Sequence, residues 1–448
     1  MILNNILDKI KRLFSKSLLR NILVVSGITF AISLLGFYKE TIIAAEFGLS
    51  VELDTFFIAL IIPGLINSVF IGSYKTIFIP NYILNLKENK DSSSFIATSL
   101  TITLVFSILS VIIITLFYSS YLNYMFPGKD ESYYNLIKSQ LYIISPSILF
   151  WGYSSILGAL LNAHEEYKLS TIANIFTPIF IIVLVLLSKF FNRANILAWG
   201  TLLGAISSAV FLTIIVFFKR LKPLGKVYFK EKNIILLIKQ LPAKISSSLF
   251  TAFIEVVDQF FAAQLIIGSL AALNYGLKIP AFATSILVIA LNNVLLPYFS
   301  KAALDNRGLA FKNLFKNLNF VFFFTLIVAF TGILCSDFIV ELLFQRNNFT
   351  KEDSYVVSNI QQIFLAYLPF KICGMIMVNF STSINKNNIL AYIAFLSVVI
   401  NVILDYILIR FYGIFGIAFC TTIITALRAT TIYLYLRYLQ RQNSVITG

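Results

Sequence analysis

The sequence has 448 residues, of which 58% are hydrophobic and only 12% are charged, against roughly 25% charged residues in a typical soluble domain. A surface that faces water cannot be built from so few charged side chains, so the composition excludes a soluble globular protein. The 35 Lys and Arg residues exceed the 20 Asp and Glu residues by 15. In so apolar a chain this excess indicates membrane topology and anionic lipid headgroups rather than nucleic-acid binding.

Twelve apolar windows follow one another along the chain, each near the roughly 20 residues that a helix needs to cross a bilayer. The first six windows are residues 22–46, 54–79, 94–118, 136–161, 170–188 and 196–218. The second six are residues 236–265, 269–298, 318–335, 355–381, 388–408 and 412–436. The sequence therefore predicts an all-α polytopic membrane protein with about twelve transmembrane helices in two six-helix bundles.

Basic segments lie at the start and in the middle of this pattern. The first 20 residues are basic and amphipathic and carry no signal-peptide cleavage site, and a cationic stretch with Pro and Gly joins the two sets of windows. We therefore predict a cytoplasmic segment, a bundle, a cytoplasmic linker, a second bundle and a cytoplasmic tail. Their residues are 1–20, 21–218, 219–235, 236–440 and 441–448.

Lys and Arg are divided unevenly between alternate loops. The N-terminal segment, the tail and loops 2–3, 4–5, 6–7, 8–9 and 10–11 together hold 21 of these cations, whereas the opposite loops hold six. Cytoplasmic loops carry the excess of Lys and Arg in membrane proteins. Both termini are therefore predicted to lie in the cytoplasm.

The two halves of the chain repeat one another. Glu40 in ETIIAAE precedes Pro63 by 23 residues, Asp258 in DQFFAAQ precedes Pro280 by 22, and a further proline follows 17 residues later in each half. Because each half has six helices, an even number, both halves enter the membrane from the same side. The repeat therefore predicts a pseudo-two-fold axis along the membrane normal, as in transporters with a central cleft between two bundles.

Ionisable side chains occur inside these windows, where a charge costs roughly 3 kcal/mol or more unless it faces a polar cavity or a partner. Lys39, Lys75 and Lys278 lie within or at the edge of proline-bearing helices at the front of each half, and we expect them to line a substrate cavity. The lysines expected to extend to the headgroups instead are Lys138, Lys239 and Lys371.

A second set of polar residues has the composition of a cation site. Asn401 and Asp405 are four residues apart, so they project from one face of the eleventh helix. Thr421 and Asp258 can add two more oxygens, and the backbone carbonyl near Ile417 a further one. Hard cations prefer ligands of this kind. The set suits Na⁺, and a proton carried by one of the two aspartates is the alternative.

The sequence carries no signature of an enzyme. His164, the single histidine, has no second histidine or cysteine beside it, and we find no nucleotide-binding loop, dinucleotide fingerprint or nucleophile elbow. The three cysteines, Cys335, Cys373 and Cys420, have no paired spacing and are expected to be small core residues. The chain is therefore predicted to be a transporter without a cofactor, driven by a gradient or a partner.

The stretches LLGFYKETIIAAEFG, ELDTFFIALIIPGL, YGLKIP and NNVLLPYFSKAA resemble the MurJ (MviN) family of lipid II flippases, within the multidrug/oligosaccharidyl-lipid/polysaccharide exporter superfamily. The resemblance implies a cavity between two bundles and export of an undecaprenyl-pyrophosphate-linked peptidoglycan precursor by alternating access. The resemblance and the positions of the charges together predict the substrate-binding residues, which are Lys39, Glu40, Asp54, Lys75 and Lys278. It also places a sodium site at Asp258, Asn401, Asp405, Ile417 and Thr421.

Some positions depart from the family pattern. Ser33, Asn67 and Ser68 stand where the family has arginines, and a lysine offers only a point charge where an arginine holds pyrophosphate through two parallel hydrogen bonds. The alternative cargoes are an O-antigen or capsular repeat unit, as in a Wzx-like flippase, and a drug, as in a MATE-type exporter. A membrane polymerase or glycosyltransferase would need a large outward loop, which the sequence lacks.

The expected location is the bacterial cytoplasmic membrane. The expected partners are the lipid-linked glycan, bilayer lipids and enzymes of cell-wall or polysaccharide synthesis.

Overall fold

The computed structural model describes residues 16–88, 92–126, 128–190, 193–221, 225–285, 307–384 and 386–446. Every regular element within these ranges is helical, so the predicted all-α class is confirmed. Some predicted features lie outside the described residues. They are most of the basic N-terminal segment (1–15), part of the linker (222–224), the end of the eighth window (286–298) and the last two residues of the tail.

The chain forms two compact units, of which the first lies within residues 23–252. Its helices are α1 (Lys16–Phe47), α2 (Val51–Leu65), α3 (Gly72–Lys87), α4 (Ser92–Met125), α5 (Glu131–Ile144), α6 (Ser147–Ala163), α7 (Tyr167–Ile172), α8 (Phe176–Leu186), α9 (Ile196–Phe218) and the first part of α10 (Lys232–Ala263). A π-helical turn (Ile66–Ile71) joins α2 to α3, and the short 3₁₀ turns are Ala173–Ile175, Ser188–Phe190 and Arg193–Asn195.

The second unit takes the start of α1, residues 16–22, and the described part of residues 253–446. Its helices are the rest of α10, α11 (269–285), α12 (Arg307–Leu334), α13 (Ser336–Phe344), α14 (Lys351–Leu365), α15 (Leu368–Ser383), α16 (Asn387–Tyr412) and α17 (Ile414–Ile446). Its apolar core joins α12, α15 and α17 around Phe311, Phe380 and Ile432. α14 and α15 form one bent span with an angle of 42°, and the bend lies just before Pro369.

Membrane-spanning helices account for most of the described chain. Within the described ranges, nine helical runs are long and apolar enough to cross a membrane, and two bent helix pairs bring the number to eleven. Each of the eleven coincides with one predicted window. The eighth window has no counterpart because its second half falls outside the described residues. The prediction of a polytopic membrane protein is confirmed.

The second span, Val51–Lys87, changes its helical geometry in the middle. Pro63 lies inside α2 and supplies no backbone N–H to the helical ladder. The π-helical turn follows directly after α2, and turns of this kind are frequent at functional sites. Lys75 lies in the first turn of α3, directly beyond the π turn.

Polar side chains join α3 to the first part of α10 and so hold the helix that carries Lys75. The contacts are Ser73 with Ser248 at 2.9 Å, Asn81 with Gln240 at 2.9 Å, Asn233 with Glu88 at 3.2 Å, and Asn85 with Glu231. In a membrane, interhelical hydrogen bonds of this kind contribute on average about 0.6 kcal/mol each. Four of them along one seam fix the register of α3 against α10.

Two glycines let α9 approach α8 closely. A Cβ atom at Gly204 would lie 2.4 Å from the Thr177 Cα, and one at Gly200 would lie 2.9 Å from the Ile181 Cα. The two glycines are four residues apart, the small-xxx-small spacing that permits close packing of membrane helices. No side chain fits at either position without separating the two helices.

Candidate functional site

The predicted substrate-binding residues of the first unit lie on its first two spans. Lys39 on α1 forms an ion pair with its neighbour Glu40, with 2.8 Å between the lysine Nζ and the Glu40 Oε1. The Lys39 side chain is 20% exposed and that of Glu40 is 10% exposed. The lysine is therefore the more accessible partner of the ion pair, and the Glu40 carboxylate balances part of its charge.

Lys75 on α3 differs from Lys39 in having no charged neighbour of this kind. Among the described residues, no hydrogen bond or ion pair reaches its ammonium group, and its side chain is partly buried. An unpaired ammonium inside a membrane span is costly. Lys75 is thus available to an anionic ligand.

Asp54 is buried inside the first unit. It lies in the first turn of α2, is 1% exposed, and neighbours Tyr133 of α5. A carboxylate in the first turn also interacts favourably with the helix dipole. Asp54 therefore contributes to the contact between α2 and α5.

Lys278 belongs to the second unit. It lies on α11, two residues before Pro280, and is partly buried. It has at least one interaction partner. The sequence placed Lys278 correctly on a proline-bearing helix.

A buried polar cluster in the second unit contains the residues predicted to form a cation site. Asp258 lies on α10, Asn401 and Asp405 lie on α16, and Thr421 lies on α17. Asn401 and Asp405 have no exposed surface, and Asp258 is 7% exposed. The tertiary structure therefore brings together side chains from three separate helices.

Asp258 is at the centre of the hydrogen bonds in this cluster. The Asn401 Nδ2 donates to the Asp258 Oδ1 at 3.0 Å, and the Thr421 Oγ1 lies 2.6 Å from the Asp258 Oδ2. The Thr421 Oγ1 also lies 3.1 Å from the backbone carbonyl oxygen of Ile417. A hydroxyl has one proton and two lone pairs, so Thr421 keeps acceptor capacity for a further ligand.

Three oxygens of the cluster meet no hydrogen-bond donor among the described residues: both carboxyl oxygens of Asp405 and the Oδ1 of Asn401. The Asp405 and Asp258 carboxyl groups are also neighbours. Buried polar atoms normally have partners, and two adjacent carboxylates repel each other. These oxygens therefore fit a bound hard cation, or a proton shared by the two aspartates.

Cys420 belongs to the same cluster, although the sequence assigned it only to the core. It is fully buried, its Sγ lies 3.3 Å from the Asn401 Nδ2, and it also contacts the Asn401 carbonyl oxygen. The sequence feature that could have placed Cys420 in the cluster is its position next to Thr421.

Within the described ranges, no group of three or more His, Cys, Asp or Glu side chains could hold a metal ion. The cluster instead mixes carboxylate, amide, hydroxyl and carbonyl oxygens, a set suited to Na⁺ rather than to a transition metal.

Comparison with protein families matches residues 43–447 to a family described as "Lipid II flippase MurJ". Similar proteins described as "Probable lipid II flippase MurJ" come from Buchnera aphidicola subsp. Schizaphis graminum and from Aquifex aeolicus. Both are 25% identical to this chain over 91% of its length, and the alignments cover 81% and 80% of the two relatives.

Solved structures show the same fold. A structure described as "Lipid II flippase MurJ, inward closed conformation" matches with a TM-score of 0.80 and 23% identity, covering 93% of this chain and 87% of the other. An inward-facing multidrug resistance MATE family transporter of the MOP superfamily matches with a TM-score of 0.78 and 12% identity, covering 95% and 100%. The predicted MurJ-like and MATE-like fold class is confirmed.

Proposed function

Because the chain belongs to the lipid II flippase MurJ family, whose model matches residues 43–447, we propose that it moves lipid II from the inner to the outer leaflet of the bacterial cytoplasmic membrane. Members of this family are membrane transporters, so the prediction of a transporter rather than an enzyme is confirmed. The family match over most of the chain is the observation that carries the proposal, and the lysines within the spans supply charges that suit a diphosphate.

We further propose that each of the predicted substrate-binding lysines attracts the diphosphate group of the substrate. Lys75 and Lys278 lie within proline-bearing spans, and Lys39 contributes through its ion pair with Glu40. Lysine ammonium groups act as point charges toward phosphate oxygens. Glu40 limits the affinity of Lys39 for the anion, which favours release after transport. Transport by alternating access is part of this proposal.

A cation drives this alternation in the same proposal. Asp258, Asn401, Asp405 and Thr421, together with the carbonyl of Ile417, would hold Na⁺ through oxygen ligands, and the unpartnered oxygens of Asp405 support this assignment. A bound Na⁺ supplies positive charge next to two carboxylates. Because the ligands come from α10, α16 and α17, occupancy of the site favours the packing that brings these helices together.

The orientation of the chain can be tested with its native cysteines. Cys335 is exposed at the end of α12, whereas Cys373 and Cys420 are buried. If both termini are cytoplasmic, Cys335 lies on the outer side of the membrane. We expect a membrane-impermeant maleimide to label intact spheroplasts expressing this protein, and we expect Cys335→Ser to remove the label. Labelling of Cys335 only after the cells are opened would reverse the proposed topology.

Complementation tests the proposed cargo directly. We expect this protein to restore growth of a bacterium depleted of its own lipid II flippase, with insertion checked on isolated membranes. Lysis despite normal insertion would refute lipid II as the cargo. Loss of surface polysaccharide on deletion of the gene would then identify an O-antigen or capsular repeat unit instead.

A further inference from the structure

Arg428 in the second unit is a cation in the middle of a membrane span. It lies 14 residues from each end of the span Ile414–Gln442, which is the depth at which a charge is most costly. Among the described residues, no hydrogen bond or ion pair reaches its guanidinium group. By contrast, Arg437 on the same helix is stacked on Phe315 and bonded to Tyr433. Unlike Arg437, Arg428 therefore remains available to a ligand.

Lys371 on α15 is an exposed cation within the bent span of α14 and α15, and its position in the sequence led us to expect that it extends to the headgroups. Its Nζ lies 4.9 Å from the centre of the Tyr367 ring, and Tyr367 is 1% exposed. The ammonium therefore lies against a buried ring, while Lys371 as a whole is exposed. The charged groups that act on it are Glu255, Arg428 and Asp258.

α15 and α17 pack closely beside these two cations. A Cβ atom at Gly374 would lie only 3.6 Å from the Cβ of Ala429. Lys371 is about one turn before Gly374, and Arg428 precedes Ala429 in the sequence. Each cation is therefore within one helical turn of this contact along its own helix, and Arg428 acts electrostatically on Lys371.

The two nearby acids, Glu255 and Asp258, do not form ion pairs with these cations. Asp258 accepts hydrogen bonds from Asn401 and Thr421 instead, and Glu255 is exposed. Among the described residues, no ion pair within 4.0 Å links either acid to Lys371 or Arg428. Both cations therefore keep their hydrogen-bond donors for an anionic ligand.

We propose that Lys371 and Arg428 form an anion-binding site within the second unit that takes a phosphate group. An arginine presents two parallel N–H donors to phosphate oxygens, and an adjacent lysine adds a mobile point charge. In the cell this phosphate belongs to the diphosphate of the lipid-linked substrate, an assignment that rests on the proposed function. The site is additional to the predicted substrate-binding lysines.

Calorimetric titration of the purified full-length protein tests this site. Inorganic pyrophosphate and undecaprenyl pyrophosphate in detergent micelles are the two probes. We expect Lys371→Gln and Arg428→Gln each to weaken binding of both probes by roughly tenfold or more, as charged hydrogen bonds are lost. Arg428→Lys should weaken binding by an intermediate amount, because the positive charge stays while the two parallel N–H donors of the guanidinium are lost. Arg410→Gln removes one cation from the exposed end of α16 and is the matched control.

Unchanged affinity for both probes in the two Gln variants, with the variants eluting as folded monodisperse protein, would overturn the site. An equal loss in Arg410→Gln would overturn it as well, because it would indicate attraction by overall charge. A loss restricted to inorganic pyrophosphate supports the anion site and refutes the lipid diphosphate as its ligand. Failure of the wild-type chain to complement a flippase-depleted strain would refute the proposed function. A loss of pyrophosphate affinity in the Gln variants would still support the anion site in that case.

Discussion

Replacement of Asp405 by Asn is expected to abolish stabilisation of the protein by Na⁺. The Asp405 carboxyl group is fully buried, neither of its oxygens meets a donor among the described residues, and it neighbours Asp258. The variant removes one of two carboxylates that would hold the ion. For the wild type, Na⁺ at about 100 times its dissociation constant adds about 2.7 kcal/mol to the free energy of unfolding. We expect a rise of several degrees in the wild-type melting temperature and no rise in the variant.

Thermal unfolding in NaCl, with choline chloride at equal ionic strength as reference, measures this effect. Asp130→Asn, a substitution at an exposed residue just before α5, should keep the full response to Na⁺. Without Na⁺, Asp405→Asn should be at least as stable as the wild type, because the substitution removes repulsion between two buried acids. An undiminished Na⁺ response in Asp405→Asn would eliminate the sodium site. If the melting temperature of the wild type depends on pH but not on Na⁺, the two aspartates bind a proton instead of Na⁺.

Removal of Lys39 or Lys278 is expected to abolish transport while the protein still inserts into the membrane. Each lysine lies within an apolar span, and each supplies a charge that we assign to the substrate diphosphate. A charged hydrogen bond contributes about 1.5–3 kcal/mol, so each alanine variant should lose at least roughly tenfold in transport rate. Growth of the flippase-depleted strain should then fail with Lys39→Ala or Lys278→Ala. Lys39→Arg should support growth, because the guanidinium retains the charge.

Lys138→Ala is the matched control for these variants. Lys138 also lies inside a membrane span, but its Nζ lies 5.1 Å and 5.7 Å from the ring centres of Tyr118 and Tyr142. This cation already has aromatic partners, so its removal should leave transport near the wild-type level. Growth with both Lys39→Ala and Lys278→Ala, at normal membrane levels, would remove these lysines from the substrate site.

The apolar windows predicted eleven spans that the structure describes, because a helix that crosses a bilayer must satisfy its backbone internally over about 20 apolar residues. This requirement is local and can be read without knowledge of packing. Helix ends were less accurate. The second span runs over Val51–Lys87 rather than 54–79, since polar residues continue the helix where the apolar window stops.

The cation cluster was predictable only in part. The spacing of Asn401 and Asp405 places them on one helical face, which follows from 3.6 residues per turn. Cys420 was not predicted as a neighbour, because its contact with Asn401 depends on how α17 packs against α16. The ion pair of Lys39 with Glu40 was also not predicted, since adjacent residues on a helix do not usually face each other.

The sequence by itself determined the class of the protein, its membrane spans and the predicted repeat of two halves, because hydropathy and spacing are properties of consecutive residues. The tertiary structure alone decided which charges have partners. It buried Asp54 beside Tyr133 and joined Asp258 to Asn401 and Thr421. These contacts link residues far apart in the chain, and they form only when the helices pack, so no local pattern could specify them.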